Sequence, residues 1–585
     1  MAFSTNLKEI MKRHPLELLA IFPALILGWL IWRYGVNLPV WDEWNVPGVA
    51  IVQSVTEQIT WQDWIHQHNE SRKLFPRLLF VSLARLTNWN IKYEMLVSFL
   101  LACSISFNVY HLSKITLNCS PRKRSVYLLL ANLLIFSPMQ WDNWLWGLQA
   151  ITFVPIASIT ASLAIIFSRN SLFIKFVSSG ILATIATFSF ANGLLSWIVI
   201  FPALIWFGQG KKQTTQIVAG WLLLFVLNLT VYFHGYVKAE TTPSFLEVFV
   251  NPFRTIAYFV SFIGSPLGLE TLQINLFFGS IVIIMLCFCC YYFWKNRQNH
   301  QLLNRAFPWL LICSYTVASG ILTTVGRVGY GVEQSLESRY ITFSTYGMLS
   351  LIYLLGIILA ELKRKGSKSL LEKFIKQNAS VLSIVFIIIY FANFGIGTNK
   401  IIAINKERLY AKACLAFVYQ IDNLECIKNQ IYPKSDELLK IAEQIDNIGY
   451  LQPPLVKTNS IENISKENLL GLVYGAFDGL DRHQNGNYLA SGWSVLPQNN
   501  LPAHAVILAY QTVDNVPRAF ALVQPNKKRQ DVVEVSGKRQ YLKSGWSKSF
   551  SSDLIPQDAV SLSAWSYDSN IGRAYKLTVE HQIER

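Results

Sequence analysis

The chain has 585 residues, 52% hydrophobic and only 15% charged, with a formal net charge of +16. Soluble domains carry roughly 25% charged residues, so this composition excludes an ordinary soluble protein and points to one embedded in a bilayer. The positive excess would suit nucleic acid, but it is dealt out in small clusters between apolar runs, which is a topology signal, and no nucleic-acid partner is expected.

Apolar runs long enough to cross a hydrocarbon core as helices recur along most of the chain. Runs near 16–34, 94–113, 126–138, 148–168, 172–190, 194–208, 215–234, 274–294, 308–325, 341–361 and 379–396 predict a polytopic α-helical membrane protein with about eleven transmembrane helices. The first run follows Lys8, Lys12 and Arg13, lacks a small-x-small cleavage site and exceeds a signal core in length, so it reads as a retained span. "FANGL" (Phe190–Leu194) is the only break between the fifth and sixth runs and predicts a tight helical hairpin.

Basic residues set the expected orientation. Lys8, Lys12 and Arg13 precede the first span, "SPRKR" (Ser120–Arg124) follows the second, and Arg169 and Lys175 follow the fourth. Lys211 and Lys212 follow the sixth, Lys295, Arg297 and Arg305 the eighth, and "KRKGSK" (Lys363–Lys368) the tenth. All fall on one side, which the positive-inside rule makes the cytoplasm. The N-terminus is then cytoplasmic, and a bacterial inner (plasma) membrane places the opposite loops and the C-terminal region in the periplasm.

The first outer loop, 35–93, carries "LPVWDEWNVPG" (Leu38–Gly48), where Asp42 and Glu43 sit between Trp41 and Trp44. Further on, "TWQDWIHQHNESRKLFPRLL" (Thr60–Leu79) packs Asp63, His66, His68, Asn69, Glu70 and Arg72 among Trp61, Trp64, Leu74, Phe75 and Leu78. That mixture predicts helices lying at the membrane interface. Acids against a low-dielectric wall have raised pKa values and can act as bases near neutral pH. The plainer reading makes the tryptophans interface anchors. "QWDNWLWG" (Gln140–Gly147) repeats the motif with the single acid Asp142. His66 and His68, two apart, match no zinc signature. A metal bound by Asp42, Glu43 and His68 would be a hard divalent ion such as Mg²⁺ or Mn²⁺. No nucleotide or organic cofactor is evident.

"GRVGYGVEQSLESRYITFST" (Gly326–Thr345) places Arg327 and Arg339 on the outer side, against the positive-inside trend. A phosphate is the natural partner of such guanidinium groups, with snorkelling or pairing to Glu333 or Glu337 as the alternative. Tyr330 and Tyr340 suit a substrate-contacting loop.

Taken together, "WDEW … HNESR", "ESRY", the acid pair directly after span one and the C-terminal outer domain resemble the GT-C superfamily of glycosyltransferases, which includes protein O-mannosyltransferases and lipid A aminoarabinose transferases. The resemblance covers roughly residues 1–400. It implies a polyprenyl-phosphate-linked sugar donor, transfer by inverting displacement on the periplasmic face, and a glycan, lipid or protein acceptor. Carried over, the catalytic role falls on Asp42 or Glu43, and Arg327 and Arg339 hold the donor phosphate. His68, Glu70, Arg72, Trp41, Trp44, Asp142 and Tyr340 support substrate. Asn143 stands where a second acid of the later loop would be, which weighs against a second acidic site. A lipid-linked glycan transporter or flippase, or a non-catalytic glycan-binding membrane protein, are the rival expectations.

Residues 401–465 read as a periplasmic helical segment ended by "LQPPL" (Leu451–Leu455). From 466 to 585 the texture turns to β: "AVILAY", "AFALV", "DVVEV", "AVSLSAW" and "AYKLTV" predict a β-sandwich. "SGWS" at 491–494 and 544–547 and "SAWS" at 563–566 suggest a reused local element. Trp493, Trp546 and Trp565 are core residues or sugar-stacking ones. Of the 8 cysteines only Cys414 and Cys426 face the oxidising side, which predicts a disulfide between them.

Overall fold

A computed structural model describes residues 15–208, 210–239, 242–365, 370–467, 471–483 and 486–583; Lys8, Lys12, Arg13 and Lys368 lie outside them. The chain is mostly helical and divides into two compact units. One comprises residues up to Gly35, Ile59–Phe80 and Lys92–Ile401; the other comprises Val36–Gln58, Val81–Ile91 and Ile402–Arg585. The loop 35–93 is therefore shared between the two units.

In the first unit every predicted apolar run falls on a helix. Eight helices among the described residues are long and apolar enough to cross a membrane, while Leu172–Thr187 and Ala191–Trp206 are shorter, as is Pro121–Ile135. Side-chain N-caps recur at helix starts: Ser171 Oγ accepts from Ile174 N and Asn299 Oδ1 from Leu302 N. Gly193 is required in the "FANGL" break, because a Cβ there would lie 1.9 Å from the Ala186 carbonyl oxygen. Gly147–Ile166 and Ser338–Arg364 are the inner helices, 83% and 78% buried, whereas Gly210–Phe233 and Leu272–Lys295 are only 22% and 28% buried. Bulky apolar side chains on outer helices, such as Phe107, Leu223 and Ile284, are exposed. Water would not tolerate that much apolar surface, and lipid would. A helix outside the predicted spans, Pro252–Gly264, packs against Leu272–Lys295, His300–Arg327 and Ser338–Arg364; at 13 residues it is too short to cross a hydrocarbon core.

The connecting loops segregate by charge. At one end Arg305 Nε donates to the Thr116 carbonyl (2.7 Å), Trp309 Nε1 to Thr116 Oγ1 (3.0 Å) and Lys365 Nζ to Asn296 Oδ1 (3.3 Å). That end gathers the basic loops. At the other end Ala191 N donates to Ser71 Oγ (3.1 Å), Tyr232 OH to the Glu70 carbonyl (2.5 Å) and Asp142 N to Ser338 Oγ (3.2 Å). That end gathers the segment 59–80 and the arginine loop.

The segment 59–80 holds a two-stranded ribbon, β1 (Gln67–His68) and β2 (Ser71–Arg72), paired Gln67↔Arg72 and His68↔Ser71, then the helix Leu74–Thr87. Asn69 at the ribbon's tip has φ +50°, a left-handed position that asparagine accepts better than most residues.

The second unit is a sheet region. β3 (Gly475–Arg482), β4 (Asn487–Leu496), β5 (Leu501–Pro502) and β8 (Gly545–Ser551) form one antiparallel sheet. β6 (Ala505–Gln511), β7 (Arg518–Val523), β9 (Ser561–Asp568), β10 (Arg573–Lys576) and β11 (His581–Gln582) form the other. Phe477, Tyr488, Trp546 and Phe550 of the first share an apolar core with Val506, Leu508, Leu562 and Tyr575 of the second. The two "SGWS" copies are cross-strand partners, Gly492 opposite Trp546 and Trp493 opposite Gly545. The glycines are needed there, since a Cβ on Gly492 would meet the Trp546 ring at 2.7 Å. Trp546 and Trp565 are buried and Trp493 is half-buried, so all three serve the core. "DVVEV" is not a strand: Gln530–Ser536 is a helix closed by Gly537 at φ +67°. Its first-turn acid, Asp531, bonds Arg529, and only Val532 is buried, so the β-branched residues have no sheet face to fill. The end of the long helix Leu370–Ala416 packs Ala413, Ala416 and Phe417 on the second sheet. Cys414 and Cys426 form a disulfide with Cα atoms 6.4 Å apart.

Candidate functional site

The first tryptophan–acid motif is a structural turn as much as a chemical one. Trp41–Glu43 is a single 3₁₀ turn, with Trp41 itself at φ +52°. Glu43 is fully buried, and its Oε2 accepts from Val40 N at 2.7 Å. This carboxylate is engaged with the backbone of its own turn. Trp44 is also buried, donating to the Pro39 carbonyl (3.0 Å) and packing edge-on against Trp89; it is core, not a sugar platform. Asp42 is half-exposed and Trp41 is 39% exposed, so these two face outward from the turn.

The segment 59–80 is locked by its cations. Arg72 is buried and donates to three carbonyls, Tyr232 at 2.6 Å, Ile65 at 3.0 Å and His234. It is a clamp between the ribbon and the end of helix Gly210–Phe233. Arg77 donates to the carbonyls of His66 (2.5 Å) and Trp64 (3.2 Å); burial lowers its pKa to about 10. Lys73 Nζ lies 2.9 Å from His68 Nδ1. Burial, then the charges of Lys73 and Arg77, push His68 down to about 3, so its imidazole is neutral at pH 7.

Glu70 stands at the tip of the ribbon and meets the arginine loop. Its Oε1 lies 3.0 Å from Arg327 NH1 and accepts from Thr242 Oγ1 at 2.7 Å. Burial raises its pKa, but Arg327 and the Thr242 hydrogen bond outweigh burial and hold the carboxyl below its ordinary range.

Around Arg327 the loop between helices His300–Arg327 and Ser338–Arg364 folds as two short turns. Tyr258 OH donates to Gln334 Oε1 (2.7 Å), and Gln334 Nε2 donates to Tyr340 OH (3.0 Å). Arg339 lies over the Tyr340 ring at 5.5 Å and 3.9 Å from Glu337, and it interacts electrostatically with Asp142 and Arg327. Its Nε is buried without a hydrogen-bond partner, a costly state for a charged donor unless a ligand completes it.

The second tryptophan–acid motif backs this loop. Asn143 Nδ2 donates to the Arg339 carbonyl (3.0 Å) and to Thr342 Oγ1 (2.6 Å), and Thr342 bonds Gln140. Asn143 is thus a fully buried strut. Trp144 is core, stacked on Phe153. Trp141 and Asp142 remain half-exposed.

Comparison with family models, curated proteins and solved structures finds no match. The site is therefore read from its own chemistry: two half-buried guanidiniums, phenols of Tyr258 and Tyr340, and the acids Glu70, Asp142 and Glu337 on one set of loops. Thr242, Tyr258 and Gln334 were missed by sequence reasoning: Thr242 lies in the polar loop after Gly210–Phe233, Tyr258 on the apolar helix Pro252–Gly264, and Gln334 is an uncharged amide beside Glu333 inside the arginine loop. Among the described residues no group of three or more His, Cys, Asp or Glu comes together. Glu43 and His68 each make the contacts described above within their own segments.

Proposed function

We propose that this protein is a membrane glycosyltransferase of the GT-C type that moves a sugar from a polyprenyl-phosphate donor to an acceptor hydroxyl. What supports the reading is that Arg327 and Arg339 lie near enough to repel each other and that the buried Arg339 Nε has no hydrogen-bond partner. Two guanidiniums at a loop end suit a phosphate whose apolar tail stays in lipid.

The expected chemistry is a single inverting displacement. Asp42 takes the proton of the acceptor hydroxyl as its oxygen attacks the anomeric carbon. The bond from that carbon to the phosphate oxygen breaks, and polyprenyl phosphate leaves with the electron pair. Arg327 and Arg339 stabilise the charge that develops on the leaving group. Asp42 is preferred over Glu43 because Glu43 is buried in its own turn.

We read the eight long helices plus Pro121–Ile135, Leu172–Thr187 and Leu195–Trp206 as eleven crossings, with the basic loops in the cytoplasm. An odd count then carries the C-terminal region, whose two sheets we read as a β-sandwich, into the periplasm of a bacterium.

Radiolabelled polyprenyl-phosphate sugar given to the purified protein with envelope acceptors tests the reading. Label passing to an acceptor supports transfer. Movement across a vesicle without transfer supports a flippase instead, and neither outcome leaves a non-catalytic binding protein.

A further inference from the structure

The tight turn Ser265–Gly268 leads into two consecutive residues in the left-handed region, Leu269 at φ +52° and Glu270 at φ +55°. Neither is glycine or asparagine, and such a pair costs free energy that the surroundings must offset. A Cβ on Gly268 would lie 1.2 Å from Asn275 Oδ1, so any side chain there would force the Asn275 amide to move. Leu269 N donates to Asn393 Oδ1 (3.3 Å), and Asn393, itself buried, keeps its Nδ2 without a hydrogen-bond partner. The strain holds Glu270 where its Oε1 accepts from Trp141 Nε1 (3.3 Å) and its Oε2 lies 3.4 Å from Lys400 Nζ. The Glu270 side chain is still 27% exposed.

From this we infer that Trp141, Glu270 and Lys400 form a carbohydrate-recognition element that binds a hydroxyl-bearing sugar ring. A carboxylate offers about four acceptor positions, and the Trp141 and Lys400 contacts leave some of them for hydroxyl donors. The neighbouring indole supplies a flat apolar face of the kind that packs on the C–H face of a sugar. Charge also favours a neutral ligand. The acids Glu270 and Asp142 are offset by Lys400 and by Arg339, which interacts with Asp142. Neither a cation nor an anion has a net attraction there. Lys400 orients the carboxylate while Trp141 contributes both a face and a donor. The inference deepens the proposed glycosyl transfer by naming a sugar subsite, yet its test needs no transfer.

Saturation-transfer-difference NMR on the full chain in nanodiscs, with free glucose, mannose, galactose, N-acetylglucosamine and arabinose as separate probes, tests it. At least one sugar is expected to bind, and Glu270→Gln to weaken it about tenfold, as loss of a charged hydrogen-bond acceptor does. Trp141→Phe, which keeps the aromatic volume, is expected to weaken it less. A bound monosaccharide competed away by the polyprenyl-phosphate donor marks a donor-sugar subsite; one that persists alongside the donor marks an acceptor subsite. Absence of binding by every probe to the wild-type chain, or equal binding by Glu270→Gln and Trp141→Phe, overturns the inference. Sugar binding without any transfer would refute the enzyme and leave this subsite standing.

Discussion

Glu70 Oε1 lies 3.0 Å from Arg327 NH1, with both side chains 29% exposed. Under the proposed transfer, the acid of the ribbon holds a guanidinium that the donor phosphate would need, and donor binding would displace it. Glu70→Gln keeps the Thr242 hydrogen bond but removes the charge. The variant is expected to bind a soluble polyprenyl-phosphate analogue about fivefold more tightly, because Arg327 no longer has to leave an ion pair worth roughly 1 kcal/mol after solvent screening. Its stability should fall by only roughly 1 kcal/mol after solvent screening. Arg327→Met should lose the binding. Calorimetric titration of both variants checks this; unchanged affinity in Glu70→Gln would mean that the phosphate sits elsewhere.

Adjacent acids in the first motif should behave oppositely. Asp42→Asn is expected to leave the melting temperature unchanged and to lower transfer by about a hundredfold or more, the usual share of a general base. Glu43→Ala removes the buried acceptor of Val40 N and should cost about 1–2 kcal/mol of stability. Parallel thermal melts and transfer assays separate the two roles. A stable Asp42→Asn that transfers normally would take Asp42 out of the mechanism.

What the sequence disclosed depended on whether the signal was local. Apolar length is local, so every predicted span falls on a helix, and the isolated acid-and-tryptophan motifs could be found by eye. Which member of each motif faces outward was not legible. Asp42 and Glu43 are neighbours, yet only Glu43 is buried, because a 3₁₀ turn sends one carboxylate back to its own backbone. Trp41 and Trp44 split in the same way. Arg72 looked like a substrate ligand but is consumed by carbonyls of the Gly210–Phe233 helix end, a contact set by packing and not by spacing. Glu270 and Thr242 carry no motif at all. "DVVEV" misled because β-branched residues report a sheet face only where a sheet exists to receive them.

Acid should loosen the ribbon. His68 has its pKa pushed down to about 3 by burial and by Lys73 and Arg77, against an unfolded value near 6.5. Above pH 6.5 the imidazole is neutral in both states and adds nothing to the pH dependence. As pH falls from 6.5 toward 3, the unfolded segment takes up a proton that the folded one refuses, and stability drops by up to about 1.4 kcal/mol per pH unit. Glu70, whose pKa is also lowered, loses its contribution only below the ordinary carboxylate value. Hydrogen exchange of the segment 59–80 at pH 7 and pH 5.5 should therefore show faster opening at the lower pH. His68→Gln should flatten that difference, and a wild-type segment equally protected at both values would show that His68 already carries its proton.

The orientation of the two loop ends decides whether any outer-face substrate can reach the arginines. The basic end contains Arg169 and Asn170, and the arginine loop contains Tyr330, which is 51% exposed. Asn170→Cys and Tyr330→Cys, each built into a chain whose six free cysteines are replaced by serine or alanine, report the two ends separately. Keeping Cys414 and Cys426, which are already bonded to each other, adds no reactive thiol. A membrane-impermeant maleimide applied to intact spheroplasts should label Tyr330→Cys and spare Asn170→Cys, with both labelled after permeabilisation. The positive-inside rule allows the converse only if lysine and arginine have been counted on the wrong side. Labelling of Asn170→Cys alone would turn the molecule over, put Arg327 and Arg339 in the cytoplasm, and end the case for a periplasmic lipid-linked donor.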